Sequence, residues 1–249
     1  MARIGCRRHL GVNLVVSVLC AVALTCLGGL FVPSNARADG YYNVDDHGVT
    51  YNVYDNDNGV ATLMDIKDPK VDTEVTVPET VTVNGKTLKL SEAMFRTGKG
   101  TKSHITKLNI THISGGWYSS NFNEYKGLTE LTLGGGAEFN GCIQNLPKLK
   151  KVTFTEGTAS IARGSGMTFS KDPALEQIVL PSTLKTVNSA NAFAGLTSLK
   201  SINLPAGLKI DNNSSNLFKG CASLTQINLP EGFDSIPMGM FNSCTSLKR

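Results

Sequence analysis

Three histidines beyond the N-terminal segment, His47, His104 and His112, are the residues best suited to move a proton or hold a metal, and their spacing favours neither. A zinc-binding helix sets two histidines on one face with a glutamate between them, and neither that pattern nor any other metal spacing occurs here. Gly164-Ser165-Gly166 places a serine between glycines but lacks the earlier glycine of a nucleophile elbow. Ser182 and Lys185 satisfy SxxK, in which a lysine activates a serine, yet both stand at positions dictated by a repeat described below. Neither Gly85-Lys86-Thr87 nor the GKGTKS stretch has the glycine spacing of a phosphate-binding loop, so Lys99 and Lys102 read as parts of a solvated loop. Asp55-Asn56-Asp57-Asn58-Gly59 has the composition of a calcium loop. With Gly59 at the sixth position, however, the first ligand would be Tyr54 and no glutamate follows in place, which leaves a turn. We therefore expect no catalytic residue, no metal ligand and no cofactor.

Cysteines and aromatic residues are the remaining candidates. Cys221 and Cys244 each lie three residues before a recurring leucine, in a slot that Tyr125, Leu146 and Leu196 fill elsewhere, and so read as buried apolar thiols. Stacked coils would bring their Cα atoms to about 4.8 Å, so a Cys221–Cys244 disulfide is the alternative, although parallel side chains hold the Cβ atoms slightly too far apart for a relaxed bond. Trp117, Tyr118 and Tyr125 could form an aromatic platform. Trp117 shares its slot with Val187 and Ile236, and Tyr125 lies in the cysteine slot; both are expected in the core, leaving Tyr118 exposed.

What positions all of these is a tandem repeat. Leu175, Leu199, Leu224 and Leu247 stand 24, 25 and 23 residues apart, and LEQIVLP, LKSINLP and LTQINLP open successive units. Upstream, Ile105, Leu128 and Leu149 keep the register, giving at least six strands. Apolar residues recur three and five positions after each start: Leu108 and Ile110, Leu131 and Leu133, Val152 and Phe154, Ile178 and Leu180, Ile202 and Leu204, Ile227 and Leu229. Six positions before each following start lie Phe122, Ile143, Phe169, Phe193, Phe218 and Phe241. Offsets three and five share parity, so those side chains face one side of a short strand and their neighbours face the other. Pro181, Pro205 and Pro230 follow and end the ladder, because proline has no N–H to donate. One coil buries too little to offset its own ordering entropy, so successive coils must stack.

The unit LTQINLPEGFDSIPMGMFNSCTSL resembles the BspA-like leucine-rich repeats of bacterial surface proteins, whose pattern is LxxIxLPxxLxxIxxxAFxxCxSL. The match is specific over residues 175–247 and rests on spacing over 105–174, where Thr111, Gly134 and Thr155 occupy the proline slot. The resemblance implies an α/β, mostly β fold: a right-handed leucine-rich repeat solenoid with a parallel β-sheet on its concave face and an N-terminal β-hairpin cap. It also implies adhesion to host matrix proteins or to other cells.

Residues 1–38 read as a secretory signal, with Arg3, Arg7 and Arg8 leading an apolar run from Val12 to Val32 and Ala36-Arg37-Ala38 before the cleavage point. That run is long for a signal core, so an uncleaved membrane anchor is the alternative. The segment holds four arginines and no acid, and 24 minus 4 leaves 20 basic residues against 20 acidic ones in the mature chain. Nucleic acid and anionic lipid both need clustered positive charge, so neither is an expected partner, and a membrane enters only through the N-terminal segment. Residues 39–71, with GVTYNVYD and VATLMDI flanking the turn, read as the cap, and 72–249 as the solenoid, its first coil containing an Asn84-Gly85 hairpin and its last repeat incomplete.

Outward side chains flank each middle apolar residue. One row is Lys107, Glu130, Lys151, Gln177, Ser201 and Gln226; the other is Asn109, Thr132, Thr153, Val179, Asn203 and Asn228. Both are polar and nearly neutral, able to hydrogen-bond an extended protein partner without steering it by charge. The expected function is protein binding at the cell surface or after secretion, with a non-binding structural spacer of a larger envelope protein as the alternative.

Overall fold

The computed structural model describes residues 40–96, 98, 100–118, 120–164, 168–210, 214–231 and 236–248. The signal segment, Lys99 and Ser165-Gly166 lie outside them.

Alternating apolar residues at the start of this region make three strands, β1 (Tyr41–Asp46), β2 (Val49–Asp55) and β3 (Val60–Ile66), each antiparallel to the next. β2 and β3 are the expected pair around the acidic turn. There the Asp57 N–H donates to Asp55 Oδ1 at 2.8 Å and the Val60 N–H to Asn58 Oδ1 at 3.1 Å, so these side chains close on their own backbone. β1 folds back through His47 and Gly48, at φ 48° and 81°, the left-handed pair that a two-residue hairpin turn requires. Next come β4 (Thr73–Thr76), β5 (Thr80–Val83) and β6 (Lys86–Ala93); β5 and β6 form the expected hairpin, with Asn84 at φ 50° and Gly85 at φ 79°.

From there short strands follow in a cycle. β7 (Ile105–Ile110), β8 (Gly116–Trp117) and β9 (Ser120–Asn121) are followed by β10 (Glu130–Leu133), β11 (Glu138–Phe139) and β12 (Gly141–Gln144). After β13 (Lys151–Phe154), β14 (Ser160–Gly164) and β15 (Phe169–Ser170), the cycle thins to β16 (Gln177–Val179), β17 (Thr186–Ser189), β18 (Ser201–Asn203) and β19 (Gln226–Asn228). Among the described residues every regular element is a strand. The fold is mostly β, and the returns that an α/β class would give to helices are turns.

Stacking these cycles builds parallel ladders. The largest runs β4-β7-β10-β13-β16-β18-β19, while β11-β14-β17 and β9-β12-β15 form smaller ones on other sides of the coil. A six-stranded sheet, β1-β2-β3-β6-β5 with β8 joined to β6, combines the antiparallel meander with strands from the first coils. All six strand-start residues from Ile105 to Leu224 are fully buried, as are Phe122, Ile143, Phe169, Phe193 and Phe218. Leu229 is 37% exposed, and Ile227 and Phe241 are half-buried, because β19 has a neighbour on one side only.

The aromatic slot forms a ring column where it is unbroken: Phe169–Phe193, Phe193–Phe218 and Phe218–Phe241 stack with centroids 5.6, 5.3 and 5.9 Å apart. Ile143 interrupts it. Ring contacts instead cross the core edge-on, from Trp117 to Phe139 at 5.4 Å, Phe139 to Phe154 at 5.2 Å and Phe154 to Phe169 at 6.4 Å. Four residues before the strand leucines, a left-handed residue recurs in five coils: Asn145, Lys171, Gly195, Gly220 and Ser243, with φ from 56° to 76°. Gly135, at φ 90° and one position after the slot that later coils fill with proline, passes so close to the preceding coil that a Cβ there would lie 2.3 Å from Ile113 N, which accounts for glycine there.

Candidate functional site

Parity and coil spacing together place the twelve outward residues. Lys107, Glu130, Lys151, Gln177, Ser201 and Gln226 are consecutive ladder partners along one row. Asn109, Thr132, Thr153 and Val179 pair in the second, as do Asn203 and Asn228. None of the twelve is buried. The sheet extends both rows by one strand that the pattern did not include, since Glu74 pairs with Lys107 and Thr76 with Asn109. An irregularity opposite Thr73 and Glu74, where β7 carries Thr106 as an extra residue, hides that alignment from a count of residues.

Chemically the two ends of the face differ. Lys107 Nζ lies 2.8 Å from Glu74 Oε1 and 3.6 Å from Glu130 Oε1, and the hydrogen bond to Glu74 raises its pKa above the ordinary lysine value. This end neutralises itself. Toward the other end Gln177, Ser201, Asn203, Gln226 and Asn228 are all exposed, and they present amides and a hydroxyl rather than charge. At the strand entrances, threonine hydroxyls reach back to the preceding coil: Thr106 to Thr73 O at 3.2 Å and Thr129 to Thr106 O at 3.0 Å.

The other candidates resolve as parts of the framework. Ser182 donates through N and Oγ to the Glu156 carboxylate, at 2.9 and 3.0 Å, so the carboxylate holds the next coil's turn and sits below its ordinary pKa. His104 Nδ1 meets Asp68 Oδ2 at 2.9 Å and His47 meets Asp46, each pairing locally. Trp117 and Tyr125 are buried and Tyr118 is 45% exposed, in line with their slots. Cys221 and Cys244 are free thiols, and no disulfide joins them. Cys221 Sγ donates to Phe193 O and Cys244 Sγ to Phe218 O, both at 3.1 Å, and burial pushes the Cys221 thiol up to about 12.

Lys102 corrects the reading of a solvated loop. It is 2% exposed, with Nζ 3.3 Å from Asp65 Oδ1 and 3.4 Å from Glu124 Oε2 and 5.3 Å from the Tyr125 ring centroid. The Tyr125 hydroxyl donates to Asp65 at 3.2 Å. Burial raises the Asp65 carboxyl above its ordinary range, and the lysine charge opposes that rise. A lysine stem can cross apolar surface to reach such a pair, which polar neighbours in sequence do not reveal.

Residues 165–249 match the family described as BspA type leucine rich repeat region, in 6 copies. No curated protein matches the chain. Among solved structures, a leucine-rich repeat protein from Bacteroides ovatus is 16% identical, with a TM-score of 0.38 over 82% of this chain and 69% of that one. A T. pallidum leucine-rich repeat protein is also 16% identical, with a TM-score of 0.44 over 82% of this chain and 90% of that one. The pneumococcal vaccine antigen PcpA is 18% identical, with a TM-score of 0.45; the match covers 80% of this chain and 52% of the antigen.

Proposed function

We propose that this chain, a leucine-rich repeat protein whose residues 165–249 match the BspA type, is secreted or displayed on a cell surface and binds an extracellular protein there. One observation carries the reading: Gln177, Ser201, Asn203, Gln226 and Asn228 stand exposed on adjoining rungs of a single parallel sheet, free of the ion pairs that occupy its other end. Such a face offers an extended partner a periodic set of donors and acceptors and fixes its register through hydrogen bonds, whereas charge would chiefly speed the encounter. The N-terminal segment supplies the secretory address, and β1–β3 cap the first coil, since Tyr51, Val53, Leu63 and Ile66 join the same apolar cluster as the solenoid.

The test is capture by the intact chain from matrix proteins and cell-surface extracts, compared with an Asn203→Arg/Asn228→Arg variant. The variant should lose the captured protein and keep the parent's melting curve; retained capture refutes this face as the site. The Glu74–Lys107–Glu130 network favours a second reading, a structural spacer whose outward groups satisfy one another. Capture of nothing by the parent would select the spacer.

A further inference from the structure

The sheet that carries β1–β3 holds a recess of about 280 Å³ unrelated to the repeat's outward rows. A single cross-strand row makes its floor. Tyr41 pairs with Tyr54, Tyr54 with Thr62, Thr62 with Glu92 and Glu92 with Gly116, so one side chain from each of four strands points the same way and the fifth position has none. Irregularities between Asn52 and Val53 and between Ala61 and Thr62 set this register. Over Gly116 lies the ring of Tyr118, its Cζ 3.3 Å from where a Cβ would be, so the absent side chain makes room for a phenol. Tyr41 and Tyr54 meet edge to face at 4.9 Å at the opposite end.

Between these aromatic walls the polar groups are already arranged. Glu92 Oε2 accepts from Thr62 Oγ1 at 2.7 Å and from Asn56 Nδ2 at 3.0 Å. The Arg96 guanidinium rests on the Met94 sulfur at 3.2 Å and forms no ion pair among the described residues. The hydroxyls of Tyr41, Tyr54 and Tyr118 take no hydrogen bond among the described residues either.

Each feature narrows the ligand. The polar floor disfavours a lipid or other wholly apolar group, which would strand Glu92 and Asn56 from water. Glu92 and Arg96 cancel in charge, so nothing selects an anion. β2, β3 and β6 are paired on both sides, so the middle of the floor presents no free backbone groups for a peptide to pair with, and the unpaired edge of β1 lies at its rim. What remains is a ligand with a flat C–H face for tyrosine and a rim of hydroxyls for a carboxylate, an amide and a guanidinium. We propose that the recess bounded by Tyr41, Tyr54, Glu92 and Tyr118 binds one pyranose residue of a neutral oligosaccharide, its ring face against tyrosine and its hydroxyls toward Glu92 and Asn56. The site is independent of protein binding along the solenoid face.

The test uses the full chain on an array of neutral oligosaccharides built from glucose, galactose, mannose and N-acetylglucosamine, with sialylated and uronate-bearing glycans beside them. Trp117, the single tryptophan, sits next to Tyr118 and provides a fluorescence titration for any glycan retained. A neutral glycan should bind, and Tyr118→Ala should weaken it about tenfold or more, the size of a lost aromatic contact, while leaving the melt unchanged. Glu92→Ala should weaken it as well, and Asn203→Arg/Asn228→Arg should not. No glycan retained, retention of acidic glycans alone, or a glycan bound equally by the Tyr118→Ala variant overturns the proposal.

Discussion

Asp172→Asn should make the protein's stability less dependent on pH, and the sign follows from where this carboxyl sits. Asp172 is fully buried just before β16; its Oδ1 accepts the Leu146 N–H at 2.8 Å, and Oδ2 has no hydrogen bond among the described residues. Burial pushes its pKa up to about 7 from 3.8, against the pull of the Leu146 and Ser170 N–H groups and the Lys126 charge. The folded state therefore keeps the proton between those values while the unfolded chain has lost it. Stability is full below the unfolded value and declines as pH rises to the folded one. Roughly three units at 1.36 kcal/mol each cap the loss at about 4 kcal/mol. Asparagine keeps the acceptor for Leu146 and never ionises, though its amide N–H groups inherit the unpaired position at a cost of about 1–3 kcal/mol. Urea denaturation of parent and variant from pH 4 to pH 8 should give a stability difference that moves toward the variant by about 2–4 kcal/mol. His112, held below its ordinary pKa chiefly by burial, loses stability in the opposite direction as pH falls, but it is present in both proteins and cancels from the difference. A pH-independent difference would refute the placement of a strained carboxyl at this point.

Two further outcomes concern the framework. Lys102→Met removes the buried cation that pairs with Asp65 and Glu124, and should cost on the order of 3–5 kcal/mol in urea denaturation at pH 7; a loss under about 1 kcal/mol would mean the lysine is solvated after all. Lys171→Gly should stabilise by about 0.5–1 kcal/mol, because the left-handed conformation at φ 56° strains a side chain more than glycine's extra freedom costs in the unfolded chain; a lower midpoint for the variant would refute this.

The repeat's strands and both outward rows were legible because two short periods, one of two residues and one of a coil, fix parity and register without any long-range information. The recess was not, because its row depends on the His47-Gly48 turn and on two strand irregularities, and no spacing in the sequence marks where a strand slips by one residue. Tyr118 could be assigned to the surface, but Tyr41 and Tyr54 could not be brought to it. Lys102 and Asp172 escaped for another reason: each is defined by partners that other segments supply, so its neighbours in sequence describe a setting it does not occupy. The left-handed position escaped because asparagine, lysine, glycine and serine share a dihedral there and nothing else.

The break in the aromatic column at Ile143 divides the array into two kinds of joint. Beyond Phe169 each ring meets a copy of itself, so one coil could be duplicated or removed and the seam would still match. Between Trp117 and Phe154 the rings come from different positions of the coil and meet edge-on, so these coils are fitted to one another and cannot be exchanged. The array can lengthen by copying only at the first kind of joint.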